Sequence, residues 1–520
     1  MRIRIQGYIL TLAFLLSLNS TNAQQKQTVS KWPRGITYEI FVQSFADSNG
    51  DGIGDIKGMT SKLDYLRDLG IEGIWLMPVN PSPSYHKYDV SDYYDIHPDY
   101  GTLEDFKNFV KEAHARNIKV IMDMVLNHSG NQNQWFKEAL KDEQGKYWDY
   151  YVWAHKDDPK VQPAVITAAD GTQRRVRNNW NAVENSDYLY FAHFGRNMPD
   201  LNYDNPRLQQ EVIKIGKFWL KDVGVDGFRL DAARHIFPDE RATDNHKWWE
   251  YFLKEMQTVN KDVYIVGEVW ASADIVGPYL KGIPALFDFD MGGEIIKAVN
   301  QENATGLVEK HKGIEDSYKK INPSYIDATF LTNHDQDRVL SSVSNNADKM
   351  KMAAALLFTL PGSPYLYYGE EIGMQGKKPD QNIREPFIWD KKENDKIRAS
   401  WIKPRFSTDS TVVSANQQLT DNSSLLNYYK KLISLRNSSY ALTYGELLPV
   451  EQPNQSICAF IRADQQETLL VLHNLSSVNQ TLRLQPGMTQ FKELYFSNKD
   501  AHLNDSQVII PAYSTVILKK

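Results

Sequence analysis

Acids and imidazoles recur in this sequence at the ends of short apolar runs. One run carries Asp123 and ends at Asn127 and His128. Another ends in Arg229 and Asp231, with His235 one turn further; others end at Glu268 and at Asn333, His334 and Asp335. If each run is a strand of a parallel barrel, these side chains converge on one rim, because such barrels carry their chemistry at the C-terminal strand ends. Three carboxylates with histidines and an arginine suit cleavage of a glycosidic bond, which needs one ionised carboxylate and one protonated acid flanking it. Arg229, two residues before Asp231, faces the same side of its strand. A cation so placed lowers a carboxylate's pKa, as a nucleophile requires. Glu268 stands between Val266-Gly267 and Val269-Trp270, where desolvation would raise its pKa, as a general acid requires. A salt-bridge network that only braces the rim would use the same residue types. GxSxG, HExxH and P-loop signatures are absent, and no GxGxxG follows a strand.

The elements that must position these groups alternate. Apolar runs read as buried strands at Ile36–Val42, Gly73–Val79, Ile118–Leu126, Val225–Leu230, Tyr264–Val269, Ala285–Phe289, Ala328–Leu331 and Pro364–Tyr368. Amphipathic helical stretches lie between most of them. In Thr102–Arg116, Leu103, Phe106, Phe109 and Val110 recur at helical spacing, and Ala347–Leu360 and Leu425–Leu435 read the same way. Parallel strands need crossover helices, so this alternation predicts an α/β fold, a (β/α)8 barrel. It spans residues 30–127 and 206–439. A long connection rich in Asp, Asn and aromatics, residues 128–205, reads as a domain inserted after the third strand. After about residue 440 the helical period stops. Ile457–Arg462, Thr468–His473, Gln480–Leu484 and Val508–Leu518 predict an antiparallel β-sandwich over residues 440–520, either a support for the barrel or a secondary glucan-binding module.

Composition excludes several classes. The chain has 520 residues, 59 Lys+Arg against 65 Asp+Glu, and one cysteine, Cys458. One thiol forms no internal disulfide and no multi-thiolate zinc site. A net charge of -6 argues against nucleic acid as a partner. Aromatics make up 12%, enough for stacking against flat hydroxylated ligands, although a large core also accounts for it. Met1 to Ala23 has Arg2 and Arg4, an apolar run Tyr8–Leu18 and a small residue before Gln24. This pattern predicts a signal peptide over residues 1–23 and export to the periplasm or the outside. The apolar run is too short to span a membrane, and no cysteine follows it for lipidation, so no membrane anchor is expected. A monomer is expected.

The strings "DMVLNH" (Asp123–His128), "MPDLN" (Met198–Asn202), "GFRLDAARH" (Gly227–His235), "GEVW" (Gly267–Trp270) and "FLTNHDQDR" (Phe330–Arg338) occur in order. "GIEGIWLMP", "YHKYDVSDY", "GSPYLYYGEEIG" and "REPFIWD" accompany them. With these motifs the chain resembles the α-amylase family of glycoside hydrolases, in its intermediary "MPDLN" group and most like secreted α-amylases. The resemblance implies retaining hydrolysis of internal α-1,4-glucosidic bonds in starch- or glycogen-type glucans. Asp231 is then the nucleophile, Glu268 the acid/base, and Asp335 the third carboxylate, which binds sugar hydroxyls. Tyr88 forms the stacking floor, His128 and His334 bond the same glucose, and His235 lies on the leaving-group side. His86, in an unnarrowed loop, favours an open, endo-acting cleft. Arg234 stands where the family usually has Lys. Neopullulanase, α-glucosidase and transglucosidase activities are same-family alternatives, and an inactive glucan-binding barrel a remote one.

Asp47, Asn49, Asp51 and Asp55 alternate in "DSNGDGIGD", with glycines between. Alternating oxygen ligands around a tight glycine turn follow calcium-loop logic. The twelfth position is Gly58 rather than Glu, so this is no EF-hand; an ordinary surface turn has the same composition. The resemblance places a Ca2+ site here and adds the Ile53 carbonyl.

Overall fold

The structure is a computed structural model that describes residues 28–29, 31–162, 164–167, 173–176, 178–504 and 507–520. The leader expected over residues 1–23 lies outside the described residues. Eight parallel strands form the central sheet: Thr37–Ile40 (β1), Gly73–Leu76 (β2), Lys119–Met124 (β3), Gly227–Leu230 (β4), Tyr264–Gly267 (β5), Ala285–Asp288 (β6), Ile326–Thr329 (β7) and Tyr365–Tyr367 (β8). Their spatial order is β7-β6-β5-β4-β3-β2-β1-β8. A parallel bridge between Phe330 and Tyr365 closes the ring. The expected barrel is therefore present, with every strand inside or overlapping its apolar run. The runs are longer than the strands because the chain stays buried past the last ladder bond, as at Met77 and Val79 after β2.

Side-chain alternation explains where the polar groups point. Trp75, Ile121, Val266, Phe287, Ala328 and Tyr365 pack together inside the barrel. Glu39 pairs in register with Trp75, and Trp75 with Ile121. Asp123 pairs with Arg229, and Arg229 with Val266. Residues two apart share a face, so Glu39, Asp123 and Arg229 point inward on top of an apolar plug. The charged layer sits at the C-terminal end, as expected.

The helix predicted over Thr102–Arg116 spans Leu103–His114 and buries Phe106, Phe109 and Val110. Thr102 and Asp105 form a reciprocal capping box at its start, which satisfies two otherwise unpaired N–H groups. Between β3 and the helix Pro206–Phe218 lie a short helix, Gln134–Ala139, and a three-stranded antiparallel sheet of Trp153–His155, Tyr188–Phe191 and Trp180–Ala182. Towards the C-terminus a five-stranded and a three-stranded antiparallel sheet face each other over Leu470, Leu472, Val516, Leu482, Val508 and Ile510. Val508–Leu518, read as one strand, is two, Gln507–Ile510 and Ser514–Lys519, in different sheets. Pro511 lacks a donor for the ladder and Tyr513 sits at φ +45°, so the chain turns there.

Candidate active site

One guanidinium organises the rim. Arg229 Nη1 donates to both oxygens of Asp123 at 2.9 and 2.8 Å and to Asp231 Oδ1 at 2.8 Å. Its Nη2 donates to Glu268 Oε2 at 2.7 Å. The Arg229 side chain is 1% exposed, so these bonds act in a low-dielectric setting and are strong. Burial drives Asp231 upward, and so do Glu268, Asp123 and Asp335; Arg229 pulls the other way. The lowering expected for Asp231 from its neighbour alone is thus opposed by burial and by the crowd of acids. Asp123 is pushed up to about 6 by burial, again against Arg229.

Glu268 does not have the apolar surroundings expected from its neighbours in sequence. Besides Arg229 it accepts from the Ala232 N–H at 3.1 Å. Val266 points into the barrel core and Trp270 out into the cleft. Ala232, which follows Asp231, sits in the left-handed region at φ +48°. A non-glycine residue pays about 1–2 kcal/mol for that conformation. Here it aims the N–H at Glu268.

Asp335 is held by a separate pair of cations. Arg384 Nη2 donates to its Oδ1 at 2.8 Å, and His334 Nε2 lies 3.2 Å from its Oδ2. His334 Nδ1 meets Glu39 Oε1 at 2.5 Å. Burial disfavours the charged imidazole, yet Asp335 and Glu39 raise His334 to about 9. Burial likewise opposes ionisation of Asp335, but the imidazolium and Arg384 hold it well below the usual carboxylate range. His334 is therefore cationic at neutral pH.

A pH dependence follows. A group raised in the fold contributes stability that is complete below its unfolded pKa and is lost as pH rises through the folded value. For His334 that window runs from the unfolded value of about 6.5 to about 9. The shift corresponds to roughly 3 kcal/mol; its Asp335 part is counted again in the lowering of Asp335 and is not added twice. We expect the melting temperature of the wild type to fall between pH 6.5 and 9 more than that of His334→Gln. Parallel curves for the two proteins would refute this.

The other expected residues line or support a cleft of about 380 Å3. His86, Tyr88, His128, His235, Asp231, Glu268 and Asp335 all face it. The Tyr88 hydroxyl lies 2.7 Å from His334 Nε2 and donates to Asp123 at 3.2 Å. His128 is lowered to about 4 by burial, and His235 to about 4 by burial and by its neighbours His193 and Arg234. Both are neutral at pH 7. Arg229 and His334 lie behind the wall and grip carboxylates, with no surface on the cleft in this structure. Phe194 and Trp270, 45% and 53% exposed, complete the wall. Trp270 is stacked on Phe289 at 4.5 Å.

Sequence reading missed Glu39, buried within the first strand, and gave no role to Arg384, Phe194 or Trp270. Lys87 was also missed. It sits at φ +65° between His86 and Tyr88, and its Nζ donates to the Ser84 carbonyl at 2.8 Å. A positively charged residue in a left-handed position carries no sequence signal.

The loop after the first strand has the expected oxygen groups. Asp47 accepts from the N–H groups of Asn49, Gly50 and Gly52, and Asp51 Oδ1 from Ile53 N–H. Asn49 Oδ1 accepts from Asp51 N–H. Asp55 accepts from Ser48 and caps the helix Ile56–Thr60 through Gly58 N–H. Gly50 and Gly52 take φ +80° and +93°. The carboxylates are thus turned to the loop's own donors, but an ionised carboxylate accepts about four bonds and each keeps lone pairs for a cation. Three carboxylates, an amide oxygen and the Ile53 carbonyl are the hard oxygen donors that Ca2+ takes. Asn49 Nδ2 also donates to Asp51 Oδ2 at 3.0 Å, however, and Asp47, Asp51 and Asp55 do not bring one oxygen each within 4.8 Å of the others, so the loop would have to draw in around an ion.

Residues 39–445 match the family model "Alpha amylase, catalytic domain", and residues 457–517 match "Alpha-amylase SusG C-terminal domain". Alpha-amylase 3 of Dictyoglomus thermophilum is 39% identical, with 94% of this chain and 93% of that protein aligned. A 4-alpha-glucanotransferase of Thermotoga neapolitana is 33% identical, over 88% of this chain and 99% of its own length. The crystal structure of the α-amylase from H. orenii superposes with a TM-score of 0.84 at 41% identity, covering 94% of this chain and 99% of that one.

Proposed function

This chain belongs to the α-amylase family of glycoside hydrolases, and from that premise we propose that it hydrolyses internal α-1,4-glucosidic bonds of starch- or glycogen-type glucans with retention. The observation that carries the reading is the Asp231–Arg229–Glu268 bridge: two carboxylates on the two terminal nitrogens of one buried guanidinium, both facing the cleft. Such close acids suit the ~5–5.5 Å carboxyl separation of retaining enzymes better than the wider gap that admits a water.

In the proposed sequence an Asp231 oxygen attacks the anomeric carbon while Glu268 gives its proton to the departing glycosidic oxygen. The sugar is left as an ester on Asp231, and the leaving chain departs with a new hydroxyl. Glu268, now ionised, takes a proton from water; the hydroxide equivalent adds to the anomeric carbon and Asp231 is released. Two inversions give net retention. Arg229 favours the ionised form of Asp231 and opposes the burial and the neighbouring acids that push it up. Asp335, fixed as an anion by His334 and Arg384, accepts hydrogen bonds from sugar hydroxyls that tighten as the ring distorts. Tyr88 and His86 support one side of the sugar. Trp270 and Phe194 offer apolar faces further along the cleft, which suits a polymer running past the cleavage point.

The product pattern tests the endo reading. Starch is expected to lose viscosity and iodine colour before much reducing sugar appears, with maltooligosaccharides as products. Rapid glucose release from maltose without thinning of starch would overturn it, and products longer than the substrate would indicate glucanotransferase action instead.

Ca2+, when bound, would tie the Asp47–Asp55 loop together and supply no chemistry to the bond cleaved. Asp47, Asn49, Asp51 and Asp55 would hold it with the Ile53 carbonyl. Adding Ca2+ to the chelator-stripped protein is expected to raise the melting temperature of the wild type by several degrees and to leave Asp51→Ala unmoved. Equal responses of the two proteins would refute the site.

A further inference from the structure

We propose that Asp288, His311 and Asp327 form a buried site for a divalent cation of the zinc class, on the outer side of the barrel wall. In β6 and β7 the residues Ala285, Phe287, Ile326 and Ala328 fill the barrel interior, so Asp288 and Asp327 point outward. The helix Leu307–Ile321 covers them and presents buried His311 and Glu315, one turn apart. One donor atom from each of Asp288, His311 and Asp327 lies within 4.8 Å of the other two. His311 Nε2 stands 4.0 Å from Asp327 Oδ2. That is too long for a hydrogen bond; two ligands of one tetrahedral zinc at about 2.0–2.2 Å stand roughly 3.4 Å apart, so a bound ion would draw the pair about half an ångström closer.

The independent observation is the absence of partners among the described residues. Both nitrogens of His311, Asp288 Oδ2 and Asp327 Oδ1 are buried with no hydrogen bond, and so are Glu315 Oε2 and Thr329 Oγ1 beside them. His311 is 1% exposed, Asp327 6% and Asp288 9%. Native interiors leave few polar atoms unsatisfied, and buried charges are paired or coordinate metals. The cations nearby are committed elsewhere. Arg34 donates to the Tyr325 carbonyl, Arg462 to the carbonyls of Thr359, Leu442 and Gly445, and Lys319 pairs with Glu315. Two carboxylates, when ionised, and a neutral imidazole would together balance the charge of a divalent ion. Imidazole with carboxylates selects zinc-like ions rather than Ca2+, which separates this site from the all-oxygen loop. Bound there, the ion would fasten β6 and β7 to the covering helix, and its binding energy would be folding energy.

The test uses the full chain, stripped with a chelator and dialysed against Zn2+. The wild type and Asp51→Ala are expected to retain one zinc per chain that His311→Leu does not, and to gain melting temperature that His311→Leu does not gain. X-ray absorption at the zinc edge should show one imidazole nitrogen at about 2.0–2.1 Å. Asp327→Asn, which preserves volume, replaces the leucine variant if that does not fold. Equal zinc content and equal melting shifts in wild type and variant, or a zinc with oxygen ligands alone, would overturn the proposal.

Discussion

Asp231→Asn is expected to lower kcat/KM on amylose by roughly 10^4-fold or more, the scale seen when a covalent nucleophile is removed, while the fold persists. The amide keeps the shape and can still accept from Arg229 through its oxygen, but it has no charge with which to form an ester. Glu268→Gln should lose activity on amylose by a similar order, because the leaving oxygen then departs unprotonated. The two variants part on a substrate whose leaving group needs no proton, such as an aryl maltoside with an acidic phenol. There Glu268→Gln should recover much of the first step and accumulate the glycosyl-enzyme, visible as a mass increase on Asp231. Asp231→Asn should recover nothing. Full starch hydrolysis by Glu268→Gln would remove Glu268 from its role.

Arg229→Met is expected to have the largest effect on stability. It leaves Asp123, Asp231 and Glu268 facing one another with their shared donor gone. Removing one partner of a buried ionic cluster costs about 3–5 kcal/mol, so the denaturant midpoint should fall markedly at pH 7. Like charges in apolar surroundings relieve themselves by taking up protons, so part of the lost stability should return as pH is lowered. Activity should fall at least about a hundredfold at neutral pH, as a misplaced reacting group implies, with the acid limb of the pH–rate profile moved to higher pH. Arg229→Lys keeps a charge but has no planar fork to reach three carboxylates. It should recover stability without recovering rate. An unshifted acid limb in Arg229→Met would show that Arg229 does not control ionisation of the nucleophile.

Buried parallel strands are apolar on both faces, which is why β1 to β8 all stood out as runs, and why run ends overshot wherever the following loop is buried too. Where a strand is half exposed the signal fades. Glu446–Pro449 and Glu493–Ser497 in the C-terminal sheet were not anticipated, and both have mostly exposed or half-exposed residues. Asp231, Glu268 and Asp335 were legible because each follows an apolar run. Their supports were not. The Glu39–His334 contact joins residues 295 apart in sequence, and nothing in the Tyr38-Glu39-Ile40 run distinguishes that glutamate from a solvent-facing one. The surroundings of Glu268 were misjudged because Val269, next to it, points to the opposite face, and Val266, which shares its face, packs in the apolar barrel interior rather than at the cleft where the carboxylate lies. Asp288, His311 and Asp327 are scattered over two strands and a helix, with no spacing that marks them as a set.

The pairing of Asp231 as nucleophile with Glu268 as acid/base is tested most directly by proton NMR of the first products from maltoheptaose, recorded before mutarotation. The α-anomer is expected to appear first at the newly formed reducing ends, because two displacements at one carbon restore its configuration. Initial appearance of the β-anomer would mean a single displacement by water, and would contradict the assignment of Asp231 as nucleophile.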